Sequence, residues 1–197
     1  MPIDDIRPFV SPLGGTFEVR YGSLEGATQA WLRGHPVGID NNGVVVEAPN
    51  DQTEYVLGDM DTVGNICGIA CWSVGTDDGD GTTTAGNINS KTGIAYAAGD
   101  EVAFYPADQG NLFITGNFHD NATTAAVVPL QTDVGEIYQI SSSITAAAGY
   151  GWGLEQVAGV VGTDVVGVVN DVLDAQYSPI RLTGQAGVYL VFEMKTK

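Results

Sequence analysis

Positive charge is what this chain has least of. Seven Lys and Arg stand against 24 Asp and Glu in 197 residues, a formal net charge of −17. Phosphate backbones and anionic lipid surfaces are bound through clustered basic residues, so neither nucleic acid nor a membrane is an expected partner. The deficit is uneven. Arg7, Arg20 and Arg33 nearly balance Asp4, Asp5, Glu18 and Glu25 near the start, and the acidic excess lies beyond them. Such a charge keeps copies soluble and apart, and it costs little where salt screens it.

Cysteine is nearly as scarce. Cys67 and Cys71 sit in ICGIAC. In an extended segment their Cα atoms lie about 13 Å apart, against about 4.4–6.8 Å for a disulfide, so they are expected as small hydrophobes on one strand face. Two thiols without a nearby histidine make no zinc set. Long apolar runs are missing too. MPIDDIRPFV has none of signal-peptide length and no later stretch suits a bilayer span, so the expectation is cytoplasmic synthesis without export. Histidine occurs only as His35, before Pro36, and His119, beside Asp120 in NFHDNATT. G-x-S-x-G, H-E-x-x-H, Walker A and G-x-G-x-x-G are all absent. The expectation is therefore a protein that is not an enzyme, with no cofactor and no metal, and with His119 in a surface loop.

What the chain does have is the composition of strands. Its 27 glycines and few cations leave helices poorly supported, whereas β-branched and aromatic residues gather in short runs between Gly, Asn and Asp. Strands are predicted near Thr16–Tyr21, Gln29–Leu32, Val44–Ala48, Tyr55–Leu57, Asn65–Ser73, Gly93–Ala97, Glu101–Tyr105 and Asn111–Thr115. Others follow near Gly135–Ser141, Trp152–Val157, Val165–Val169, Ile180–Thr183 and Gly187–Met194. The fold class is all-β: a compact β-barrel or β-sandwich-like domain over residues 21–197.

Asp40-Asn41-Asn42-Gly43 predicts a hairpin turn, and so does Pro106–Gly110 within AAGDEVAFYPADQGNLFIT, where Val102 and Phe104 face inward. Val188, Leu190, Phe192 and Met194 share one strand face and are expected in the core. Residues 76–92, TDDGDGTTTAGNINSKT, read as a long acidic loop. Its carboxylates at Asp78 and Asp80 resemble the start of a calcium loop, but the continuation lacks the later ligands. Gly149, Gly151 and Gly153 predict a loop over 141–153.

Residues 1–20 read as an extended arm, punctuated by Pro2, Pro8, Pro12 and Gly14-Gly15. Ile3, Ile6, Phe9, Val10, Leu13 and Phe17 fit neither a helix face nor a core strand, so an outside surface is expected to bury them, with Arg7 and Arg20 adding ion pairs. Trp31, Trp72 and Trp152 suit a core or a subunit boundary, with Trp31 and Trp152 the interface candidates. An exposed sugar platform is the other use of such aromatics.

The order of segments carries a resemblance. WLRGHPVGIDNNGVVVEA, NICGIACWSVG, AAGDEVAFYPADQGNLFITGNF, DVGEIYQI, GWGLEQVAGVVGTDVVGVV and VYLVFEM follow one another over residues 27–197. This succession resembles the small capsid decoration (cement) proteins of tailed bacteriophages. The resemblance implies a virion structural protein on the outer capsid surface, made in the host cytoplasm, bound to the major capsid protein and forming a homotrimer. It also implies an N-terminal arm that orders on the shell, a part that residues 1–20 suit. The chain departs from the smallest members in its length and in the acidic loop. The competing readings are a carbohydrate-binding or host-adhesion module and a β-rich tail or connector subunit.

Overall fold

Short β-branched and aromatic runs broken by glycine build strands here and almost nothing else. A computed structural model describes residues 6–9, 17–26, 29–40, 42–47, 66–77, 83–107, 110–120, 126–143, 151–156 and 165–196. The strands are β1 (Arg7–Pro8), β2 (Arg20–Ser23), β3 (Pro36–Ile39), β4 (Val45–Glu47), β5 (Ile66–Ala70), β6 (Gly75–Asp77) and β7 (Thr83–Ala85). They continue as β8 (Glu101–Pro106), β9 (Leu112–Thr115), β10 (Phe118–Asp120), β11 (Ile137–Ser143), β12 (Gly151–Gln156), β13 (Val165–Leu173) and β14 (Tyr189–Thr196). A single 3-10 turn at Gln131–Asp133 is the only helical element among the described residues.

The protein is all-β, with two curled sheets that each form a half-barrel. One has seven strands in the order β1-β9-β14-β13-β11-β12-β10, the other five in the order β2-β8-β5-β3-β4, and β6 and β7 make a separate ladder. Every neighbouring pair is antiparallel except β10 and β12.

Alternation along the strands explains the core. On β14, Leu190, Phe192 and Met194 enter the main cluster with Phe113, Phe118, Trp152 and Leu154, while Tyr189 and Val191 face the opposite way into a smaller cluster with Ile114 and Leu173. On β5, Ile69 joins that main cluster, whereas Ala70 joins Trp31, Val37, Val45, Val102 and Phe104 in a second one. The central strand of the five-stranded sheet, β5, is thus buried on both faces. Val188 precedes β14 and is 36% exposed, so the expected core row begins at Leu190.

Several local readings change. Residues 97–115 do not form a hairpin: β8 pairs with β2 and β5, while β9 pairs with β1 and β14. The Pro106–Gly110 segment instead carries the chain from one sheet to the other. Gly110 adopts φ 91°, its amide donates to Glu193 Oε1 at 2.7 Å, and Asn111 Nδ2 donates to the Pro106 carbonyl at 2.9 Å. Within the expected 76–92 loop, Thr76 and Asp77 of β6 pair with Thr84 and Thr83 of β7, and Ile88 bridges to Ala95. Gly151 and Gly153 lie in β12 rather than a loop, because the backbone of Asn117 presses against Gly153 where a side chain would stand. Gln29–Leu32 and Ile180–Thr183 are not strands, and Tyr55–Leu57 lies outside the described residues.

The turn at Asp40 forms as its sequence predicts. Asp40 Oδ1 accepts from the amides of Asn42 (2.9 Å) and Val44 (3.0 Å), and Gly43 takes φ 76°. These bonds, the one from Val44 foremost, hold the Asp40 carboxyl below the ordinary range despite some desolvation.

Candidate functional site

Three of the arm's apolar anchors are engaged by the chain's own body. Ile6 is fully buried in the main cluster, β1 pairs with β9, and the Phe9 amide donates to the Leu112 carbonyl at 2.8 Å. Phe17 stacks edge-on against Tyr105 and Phe113, at 5.8 and 5.4 Å between centroids. Ile6 is therefore a core residue and not an anchor for an outside surface. Its apolar neighbours lie within the same chain, which periodicity cannot reveal. Arg7 is exposed on β1, Arg20 lies 3.8 Å from Glu18, and Ile3, Val10 and Leu13 fall outside the described residues. Pro8 sits where a proline is tolerated, on an edge strand.

Neither candidate interface tryptophan reaches the surface. Trp31 is buried and its Nε1 donates to the Trp72 carbonyl at 3.2 Å. Trp152 is buried in the main cluster with the His35 ring edge-on at 6.4 Å. Both are core residues, corrected from the interface reading, since strands β12 and the 29–35 segment turn them inward. Trp72 is the half-buried one, with Tyr21 6.4 Å away. It lines a groove of about 540 Å³ with Arg33, Asn87, Asn89, Lys91 and Tyr96. The groove's amides are consumed internally. Asn87 Nδ2 donates to the Ser73 carbonyl, Asn89 Nδ2 donates to Asp100 Oδ2, and their oxygens accept from the amides of Ile88 and Lys91. Lys91 is ion-paired to Glu101. These residues brace a turn more than they offer donors to a ligand.

A different surface has the character of a contact site. Exposed aliphatic side chains collect on two segments that are stitched together: Val128, Leu130, Val134 and Ile137 on one, Leu182 and Val188 on the other. Leu130 bridges to Ala186, the Gly187 amide donates to the Pro129 carbonyl at 2.7 Å, and the Gln131 amide donates to the Gln185 carbonyl at 3.3 Å. Leu182 is 72% exposed and Val128 57%. Asp133 fixes this corner. Buried, it accepts from Tyr138 Oη at 2.6 Å and from the Leu130 amide at 2.7 Å. Desolvation, then the bond to Asp133, pushes the Tyr138 phenol well above its ordinary value.

The sequence around this surface carries little charge. No Asp or Glu occurs between Asp120 and Asp133, or between Asp174 and Glu193. Arg181, the one cation in those stretches, is neutralised by Asp171 in a two-pronged pair at 2.8 and 3.2 Å. An aliphatic surface on which Glu136 is the one exposed acid is where a chain of charge −17 meets another protein with least repulsion.

Among the described residues, no group of three or more His, Cys, Asp and Glu side chains is arranged to hold a metal ion. His119 is not in a surface loop: it is fully buried in the middle of β10. The sequence hid this strand because it is three residues long with a polar residue at its centre, and parallel pairing with β12 supplies what local pattern does not. Comparison with protein-family models, with curated proteins and with solved structures finds no match. The exposed aliphatic surface was missed for a related reason. Its residues lie in turns without periodicity, although the gaps in the distribution of acids were visible.

Proposed function

We propose that this chain is a virion structural protein that decorates the outer surface of a tailed-phage head by binding its major capsid protein. The observation that carries this reading is the exposed aliphatic surface formed by segments 128–137 and 182–188 on an all-β body, with Glu136 its one exposed acid. The order of strand segments, which resembles that of decoration proteins, supports it. The body is the clamp and this surface its contact face, arranged as a homotrimer around a point where capsid subunits meet. The parts of the 1–20 arm not engaged by the core extend the contact. In this reading Ile6 holds the arm's root to the body and Arg7 faces outward beside it.

The test is binding to purified heads stripped of their decoration, read by co-sedimentation and by cryo-electron microscopy. Leu182→Asp combined with Val128→Asp should leave a folded protein and lower occupancy at least tenfold. Unchanged occupancy of the double variant removes the surface from the proposal, and absence of wild-type protein from particles removes the function.

A further inference from the structure

β10 is the edge strand of the seven-stranded sheet, held to it by three register pairs with β12: Phe118–Leu154, His119–Glu155 and Asp120–Gln156. β12 in turn sets Glu155 opposite Gln139 of β11. Phe118, Leu154 and Ile140 point into the main cluster, so by alternation His119, Glu155 and Gln139 form a row on the other face. The row is buried: His119 is 0% exposed, Glu155 1% and Gln139 8%. Among the described residues, both imidazole nitrogens of His119 and Oε1 of Glu155 have no hydrogen-bond partner. The Leu154 backbone lies beside the ring without the geometry of a hydrogen bond. Buried polar atoms are nearly always satisfied, and a buried, unpartnered pair at a sheet edge is unusual enough to call for a role.

We propose that His119 and Glu155 form an acid-sensitive latch that keeps edge strand β10 closed on the seven-stranded sheet. Among the described residues the groups facing the imidazole are few. Glu155 comes from β12, Asp120 follows on β10 itself, and Gln139 from β11 and Ala126, bridged to His119, carry no charge. Burial disfavours the imidazolium and outweighs the pull of the Glu155 and Asp120 carboxylates, so the ring is held below the ordinary value of 6.5. With the ring neutral, the row stays enclosed. A proton taken from solvent puts a charge on a ring that lacks hydrogen-bond partners, and releasing β10 from β12, from its bridge to Ala126 and from the Val127 amide's bond to the Phe118 carbonyl hydrates it.

The sign follows from proton linkage. A ring exposed by opening has the higher affinity for protons, so the open strand gains as pH falls. Closure is fully secured above 6.5 and is lost as the pH drops below that value toward the lowered folded-state value. One proton allows a change in the opening equilibrium of up to about tenfold per pH unit within that window. The latch acts whatever the contact surface binds.

The experiment uses the full chain. Because His35 and His119 are the only histidines, two imidazole titration curves can be followed by NMR, with hydrogen exchange at the amides of 118–120 referenced to those of β14. The expected result is a His119 midpoint below 6.5 and a relative loss of protection at 118–120 that His119→Phe abolishes. A His119 midpoint at or above 6.5 overturns the latch, as does protection at 118–120 that keeps step with β14 between about pH 7 and about pH 4. Equal pH dependence in wild type and His119→Phe overturns it too. Should the variant fail to fold, the two wild-type measurements decide.

Discussion

Asp133 shows how one buried carboxylate can shape a surface made of other residues. It receives the Tyr138 hydroxyl and the Leu130 amide, and so ties the 3-10 turn to β11 directly beneath Leu130 and Val134. Tyr138→Phe leaves one carboxylate oxygen without its donor. It should lower stability by about 1–3 kcal/mol in urea unfolding, with the slope unchanged. The tyrosine also sets an alkaline limit. Its folded-state value is raised, so the unfolded chain releases the proton first. The stability it contributes is intact below the ordinary value of 10 and is lost as pH rises above it. Tyrosinate absorbance should therefore show a late-titrating residue, besides the raised Tyr96 and Tyr105, that is absent from Tyr138→Phe. Gly153 makes a second residue-scale point. Asn117 occupies the space a side chain would need, and Gly153→Ala should destabilise by about 1–3 kcal/mol in the same assay.

At the scale of elements, what was legible depended on how far the information lay along the chain. β14 could be read because Leu190, Phe192 and Met194 alternate with residues of the other face, and the β3–β4 turn because Asp40 and Gly43 carry their geometry locally. The segment around Pro106 could not. Its residues specify a change of direction, and only the partners of β8 and β9 decide that the change leads into another sheet. The arm failed in the same way, since irregular spacing of Ile6 and Phe9 says nothing about a core assembled mostly from residues a hundred and more positions later. Its structure carries a prediction. Ile6→Ala should cost about 2–5 kcal/mol, measured by thermal or urea unfolding. Deleting residues 1–9 should do the same and also uncover the edge of β9, so the truncated chain should aggregate more readily than the full one.

For the molecule as a whole, charge and surface pull in opposite directions. A net charge of −17 drives copies apart, while the aliphatic corner at 128–137 and 182–188 favours contact once they meet. Salt weakens the first and leaves the second nearly untouched. Self-association followed by sedimentation velocity should therefore increase with ionic strength, and Leu182→Asp should suppress it at every salt concentration. Association that weakens as salt is added would point to ion pairs and not to this corner. The corner was not read from sequence because its members come from two turns brought together by a bridge between Leu130 and Ala186.

The position of β9 has a kinetic meaning. It is clasped between β1 and β14, the earliest and latest described strands of the chain. No ribosome-bound fragment lacking residues 189–196 can complete that sheet, so the central pairing must wait until synthesis has passed them. Closing so long a loop is slow, and the reverse step has to break the same clasp. The molecule should reach its native state late and leave it late, and its lifetime under heat would then be set by the height of a barrier more than by the depth of a well.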